Sequence, residues 1–523
     1  MEDSGGAADG GDPSSEPSRS GERPEVIVIS EHGDVVLDAT FQNSKDTIRS
    51  ARKAAAAAAQ AQPRHPSRGG EPRAQPPPPP RARVRLAFRV DLAVLKRQSK
   101  YFDKLLGDAH FREANDVSAA FAALSARGVR PGDADARDLP WIRIHDDDEA
   151  TSYAYREMAF ADLLRILHGF DAKTSQSQIT MSFVTTLAVL ADRFDCAAAV
   201  SRYVATGLKF KWPLTNRRPL RDETATAAVA GFSGMTRANE NVLRQKILVS
   251  WLLNQPAKFQ AATRELILNG SCQWSSFGEA EDETTSATWW YLQDGLEQEL
   301  QYRRNCILNT LASVPRHFLA LYTSGRGGGG PAARQCKLGY DSSVACDSYQ
   351  LGEMFKFLTN KGLLFAVDFS PGSLDAVADT ALLPIDHVLA ALRQCPAYQI
   401  DKNHTNCGLR TRMLPILDFL HGLLSANSIP VSRAAWKGQR AAHAWMPVAV
   451  AAGKGGEEEG EEGGERKPFR FTRSLAGDQR FRFENTLGAD QFARDVFTAS
   501  SWDWTAEDQG VDHTSTTPKW SFR

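Results

Sequence analysis

Five consecutive prolines, Pro76 to Pro80, close a stretch that begins in the alanine tract Ala54 to Ala59 and runs through Arg/Pro/Gly-rich sequence to residue 82. Proline offers no N–H to a sheet ladder, and a proline run sets into an extended polyproline II spacer. Whatever fold this chain adopts must be assembled from blocks on either side. Three further breaks follow: a polar insert at Asn115 to Leu139, a glycine-rich run at Gly325 to Gly330, and the acidic "GKGGEEEGEEGGE" from Gly453 to Glu465. The glycine run lacks the Gly-Lys-Ser/Thr continuation and preceding strand of a phosphate loop, so it reads as a linker. The acidic run reads as a solvated tether, with a contact for a basic partner as the alternative. The first 24 residues, polar and rich in Gly, Ser and Pro, read as a disordered tail.

Between the breaks, periodicity assigns elements. "GDVVLDAT" (Gly33 to Thr40) and "VRLAFRV" (Val84 to Val90) read as strands, the second with Val84, Leu86, Phe88 and Val90 on one face. "PWIRIHDDD" adds a short third strand. Helical spacing follows at Phe160, Leu163, Leu164 and Leu167, then at Phe183, Leu187, Leu190 and Phe194, then at Cys196, Val200 and Tyr203 with Asp195 as the expected N-cap. "VLKRQSKYFDKLL" (Val94 to Leu106) divides best into two short helices joined at Ser99, since a mid-helix serine competes for backbone hydrogen bonds and serves better as a cap. Asp91 is placed to open the first.

Beyond residue 240 the chain reads as mostly helical. Helices are marked by Leu243, Ile247 and Trp251; by Leu351, Met354, Phe355 and Leu358; and by Ile385, Val388, Leu389 and Leu392. "FRFTR" (Phe469 to Arg473) and "RFRF" (Arg480 to Phe483) read as strands in preference to a basic-aromatic nucleic-acid surface, because no RNA-binding signature accompanies them.

Composition excludes several classes. The 62 basic and 63 acidic residues set up no global field favouring nucleic acid or an anionic membrane. No apolar run approaches the roughly 18 residues a membrane span requires. Seven scattered cysteines with no secretory leader point to a reducing, intracellular compartment, cytoplasm or nucleus. No Gly-x-Ser-x-Gly, His-Glu-x-x-His or kinase motif set is present, so no enzyme is expected. "HDDDE" (His145 to Glu149) reads as a solvated turn, and His168 and His421, each before a glycine, as helix-end histidines favoured by the C-terminal dipole.

The order strand, strand, helix pair, strand, then helices ending in "LAVLADRFDC" resembles the BTB/POZ domain, with spelling nearest to BTB proteins of filamentous fungi. The residues that carry the resemblance are Asp34, Val35, Val36, Val90 and Leu95, then Ser99, Tyr101 and Phe102, Phe111 and Glu113, Leu163, Leu164, His168 and Gly169, and Leu190 to Cys196. Two departures stand out: Asp91 occupies the place of the family's histidine after the second strand, and the Ala/Pro insertion lengthens the connection between the first two strands. Asn241 to Trp274 resembles the helical region that follows the domain in fungal relatives.

The resemblance implies an α+β fold: a BTB/POZ domain over 25–205 with inserts at 50–82 and 115–139, then a helical region at 206–324. A linker at 325–334, a helical region at 335–450, an acidic linker at 451–467 and a segment at 468–523 complete the chain. It further implies a protein-interaction or scaffold role, with a homodimer through the domain among the expected partners. In relatives that recruit the cullin scaffold of a ubiquitin ligase, a hydrophobic-x-Glu motif near this point docks the cullin; this makes Phe111 and Glu113 partner-binding candidates and the chain a candidate substrate adaptor. The bland alternative makes Phe111 core and Glu113 surface. A nuclear regulator that dimerises through the domain is the other functional class, disfavoured by neutral charge and the lack of a basic helix.

One constellation stands apart from the resemblance. Cys336, Cys346, His404 and Cys407 would supply three thiolates and an imidazole, a closed donor set suited to structural zinc, with Cys395 nearby in sequence. The nine residues between Cys336 and Cys346 exceed the two to four usual in zinc fingers, so plain buried thiols are the competing reading.

Overall fold

The computed structural model describes residues 24–61, 79–174, 179–208, 210–215, 235–275, 287–323, 335–336, 338, 343–363, 380–405, 407–447, 467–478 and 489–505. The expected N-terminal tail (through residue 23), the proline run through Pro78, the Gly325 to Gly330 run, the acidic run and "RFRF" lie outside them. The protein is mixed α/β, mainly helical with a small sheet. Two compact units divide the chain: the first comprises 1–148, 153–176 and 190–200, the second 149–152, 177–189 and 201–523. Among the described residues no helix is long and apolar enough to cross a membrane.

The first unit is built on a four-stranded sheet in the order β1-β3-β2-β4, with β1 Val26–Val28, β2 Val35–Gln42, β3 Arg83–Val90 and β4 Trp141–Asp146. β2 and β3 pair antiparallel from Val35↔Val90 to Gln42↔Arg83, and β4 returns parallel to β2. Helix α1 (Lys45–Ala61) takes in the alanine tract, as a residue without side-chain entropy to lose allows. Strand periodicity gives the sheet two faces, and both are covered. Phe41 and Phe88 meet Phe160 edge-on at 5.8 and 5.5 Å on one. On the other, Val36 and Ala87 pack with Leu124, Ala134 and Leu139.

That second face corrects the reading of 115–139 as an insert between ordered blocks. Helix α4 (Arg112–Ala126) buries Ala114, Val117 and Leu124. Its alanine-rich, polar composition hides a narrow apolar stripe, sufficient for a sheet face whose own residues, Val36 and Ala87, are small.

Helices α2 (Leu92–Gln98) and α3 (Lys100–Gly107) lie between β3 and α4. Asp91 caps α2 by accepting the Val94 N–H at 2.9 Å. Ser99 ends α2 and opens α3: its Oγ accepts the Phe102 N–H at 3.1 Å and donates to the Phe194 carbonyl at 2.5 Å. Phe102 then stacks on Phe194 at 5.3 Å. Ser99→Ala removes the cap and leaves the buried Phe194 carbonyl without that donor, so a loss of about 1–3 kcal/mol is expected. Urea unfolding followed by near-ultraviolet circular dichroism checks it; an unchanged midpoint would show that the cap does not hold the pair.

Helices α5 (Arg156–Leu167), α6 (Met181–Arg193) and α7 (Ala197–Thr206) follow. Asp195 is not the N-cap of α7: it takes a left-handed φ of 44° in the turn after α6, and Cys196 supplies the first helical carbonyl. His168 is likewise no charged partner for a helix dipole. Its Nδ1 donates to the Leu164 carbonyl at 2.7 Å while Nε2 accepts the Asp91 N–H at 3.0 Å, which requires the neutral ring. Burial pushes its pKa down, against the hydrogen bond to Leu164 and the charge of Asp91.

In the second unit α8 (Arg237–Leu252) packs against α9 (Pro256–Asn269). Gly270, at φ 83°, ends α9 where an added Cβ would stand 1.8 Å from the Ala381 carbonyl oxygen. The long α10 (Leu296–Thr323), α11 (Ser343–Asn360), α12 (Ile385–Arg393) and α13 (Arg410–Leu423) follow; α12 buries its whole expected stripe, whereas in α11 Met354 and Leu358 are buried, Leu351 is half-buried and Phe355 is exposed. Short α14 (Arg433–Gly438) and α15 (Arg440–His443) precede the C-terminal part. There the strand reading shrinks to the two-residue pairing of β5 (Phe469–Arg470) with β6 (Trp502–Asp503). Arg473 begins α16 (Arg473–Gly477), and α17 (Ala489–Phe497) completes the packing. Phe471 and Trp504 are buried in the core of this unit, so the aromatic half of "FRF" packs inward.

Candidate functional site

Two residues at the start of α4, Phe111 and Glu113, bear on partner binding. Phe111 is the N-cap residue of that helix but makes no side-chain cap bond, and Glu113 lies in its first turn. Phe111 is 42% exposed, so the alternative that placed it in the core is excluded. Tyr101, on α3, is also exposed beyond one third.

The "HDDDE" cluster is the solvated turn expected only in part: His145, Asp147 and Glu149 are exposed, but two of its carboxylates are not. Asp146 is buried and accepts Arg156 Nε at 2.6 Å and a second bond from Arg193. Asp148 accepts the Ser44 N–H and hydroxyl, each at 2.8 Å. Both carboxylates bond to structural partners.

In the second unit, the segment before α11 and the loop before α13 bring three of the cysteine candidates together, with His404 beside Cys336 but outside the set of donor atoms that lie within 4.8 Å of one another. Cys336 precedes α11, Cys346 lies in its first turn, and Cys407 stands just ahead of α13. Their three sulfurs lie within 4.8 Å of one another, with Cys336 and Cys407 at 3.9 Å, and all three residues are buried. His404, 1% exposed, interacts with Cys336.

Local sequence explains the arrangement. Asp401 forms an Asx turn, its Oδ1 accepting the Asn403 N–H at 2.7 Å and the His404 N–H at 3.2 Å. The same oxygen takes His404 Nδ1 at 3.0 Å, and the Cys407 N–H returns to the His404 carbonyl at 3.3 Å. Gln350 on α11 donates to the Tyr398 carbonyl at 2.9 Å, and Arg412 on α13 reaches Gln335 at 3.0 Å. These bonds tie the two chain segments across the cluster.

The electrostatics divide the thiols. Burial pushes the Cys336 thiol up, but the Leu338 N–H and the neighbouring Ser343, Cys407 and Cys346 side chains outweigh it and hold the pKa below the usual value. Cys346 is pushed up to about 12 by burial and by its two thiol neighbours. The Asp401 hydrogen bond raises His404 against burial. Cys395 does not join: its sulfur sits in the main core near the Pro396 carbonyl, at 3.8 Å. Asp401 is the residue that sequence reasoning missed; an Asp three residues before a candidate ligand histidine was the available signal.

Comparison of the chain with protein-family models, with curated proteins and with solved structures gives no match.

Proposed function

We propose that residues 25–205 form a BTB/POZ-type module and that the protein works through it by binding other proteins, without chemistry of its own. The fold supports this reading through its element order: an antiparallel pair β2 and β3, two helices abutting at Ser99, then β4 returning parallel beside β2. Ser99, Phe102 and Phe194, three of the residues that carry the resemblance, meet in one hydrogen-bonded and stacked contact.

The observation that carries a partner surface is Phe111. A phenylalanine left 42% exposed at a helix start, two residues before an acidic first-turn side chain, fits an anchor for another protein. The partner we propose is a cullin scaffold of a ubiquitin ligase, with this chain as a substrate adaptor.

The full chain, immobilised, is tested for binding to a purified cullin N-terminal region by biolayer interferometry. Binding by the wild type that weakens at least about tenfold in Phe111→Ala and in Glu113→Ala is the expected result, as for an interface hot spot. No binding by the wild type, or binding unchanged in the double variant, sinks the adaptor reading.

A further inference from the structure

Cys336, Cys346 and Cys407 form a buried cluster of their own, against which Leu338 packs among the described hydrophobic residues. Thiols that serve as small apolar fillers sit elsewhere in this protein: Cys306 and Cys395 are embedded in the main core of the second unit among its aliphatic side chains. Among the described residues, three thiols and one half-buried leucine offer little apolar surface at a point where positions 71 residues apart in the chain meet. The loop that carries His404 and Cys407 adds little, since Gln399, Ile400, Asp401, Lys402 and Asn403 are exposed. Yet His404 and Cys407 are held inside it.

We propose that Cys336, Cys346, Cys407 and His404 bind one zinc ion as a structural Cys3His site that joins the segment before α11 to the loop before α13. Tetrahedral zinc with Zn–S bonds of about 2.3 Å sets its sulfurs about 3.8 Å apart. Cys336 and Cys407 stand at 3.9 Å. Asp401 supplies the outer carboxylate that metal-bound histidines commonly require: by accepting the Nδ1–H hydrogen bond it fixes the tautomer and leaves Nε2 to ligate. On binding, the three thiols release their protons to solvent and the imidazole coordinates neutral, giving a site of net charge −1. Four protein donors leave no open position, so the ion is structural and not catalytic. Three soft sulfurs with one imidazole select zinc over magnesium or calcium, which take oxygen ligands. This inference is independent of the partner-binding reading above, which concerns the other unit.

The full chain is purified under reducing, chelator-free conditions and its metals are measured by elemental mass spectrometry. About one zinc per chain is expected. Cobalt replacing zinc in the wild type gives the visible d–d bands of a tetrahedral thiolate site, so sulfur ligation is read without relying on any variant. Cys336→Ser/Cys407→Ser lowers the zinc content by at least about tenfold, Cys395→Ala leaves it unchanged, and His404→Cys retains the metal with stronger thiolate-to-cobalt charge transfer. A wild-type chain that takes up no zinc or cobalt when offered it in reducing buffer overturns the proposal. So does zinc undiminished in the double serine variant, iron or copper as the resident metal, or a Cys336–Cys407 disulfide in peptide maps of the alkylated protein.

Discussion

Arg244→Met is expected to cost the second unit about 3–5 kcal/mol, because it leaves a buried carboxylate without its cation. Arg244 and Glu240 are both 0% exposed, and all five guanidinium donors are engaged. Nε meets Glu240 at 2.8 Å; Nη1 meets the Trp290 carbonyl at 2.8 Å and Glu297 at 2.7 Å; Nη2 meets Ser271 at 2.9 Å and Glu297 at 2.8 Å. One side chain thus joins α8 to the turn after α9 and to α10. Methionine fills similar volume but offers no donor, so Glu240 keeps only the Ser271 hydroxyl and the Cys272 N–H. Arg244→Lys should lose less, since an ammonium keeps the charge and forfeits the two-pronged contact with Glu297. Urea unfolding monitored by tryptophan fluorescence checks the order, with Trp290 and Trp274 beside the network. Equal losses for lysine and methionine would mean that geometry and not charge sets the cost; no loss for methionine would contradict the argument.

This network marks where sequence reasoning stopped. The apolar stripe of α8 was legible from Leu243 and Ile247, and both are buried. Glu240 and Arg244, four residues apart on the same helix, look like any solvated ion pair on an amphipathic helix, and only the segments folded over them reveal that they are inside. Ser99 was legible for the opposite reason. Its role is local, a cap visible from three residues either side, and the tertiary bond to Phe194 merely adds to it. The face of the sheet covered by α4 was lost because alanine-rich helices show weak periodicity. The strand β1 was lost because three residues at an edge carry almost no pattern.

The candidate metal ligands divide along the same line. Residue types and the His404-x-x-Cys407 spacing were visible, whereas the convergence of Cys336 and Cys346 on them is a long-range fact that spacing rules argued against. The rule of two to four intervening residues describes knuckles closed within one turn of chain. Here the nine residues between the cysteines reach the first turn of α11, where Cys346 is presented by a helix, and the restriction no longer applies.

In the first unit the largest effect is expected at Arg156. The side chain is 1% exposed against an Asp146 that is 6% exposed, and it too engages every donor. Besides Asp146 at 2.6 Å it bonds Asn43 Oδ1 at 2.8 Å and the carbonyls of Tyr153, Gln42 and Asp146 at 2.9, 2.6 and 3.4 Å. Gln42 ends β2 and Asp146 ends β4, so the guanidinium locks the two strand ends to the first turn of α5. Arg156→Met leaves those carbonyls without that donor and Asp146 with Arg193 as its remaining cation, on the solvent side. A loss of about 3–5 kcal/mol follows from breaking one partner of a buried pair. Because the second unit does not share this contact, the variant should unfold in two separated transitions, with only the earlier one moved. Hydrogen exchange read by mass spectrometry distinguishes the outcomes: faster exchange in β2, β4 and α5 with α8 to α13 unchanged supports the assignment. Uniform protection across both units in the variant would show that the Arg156 contacts add nothing to the sheet's stability.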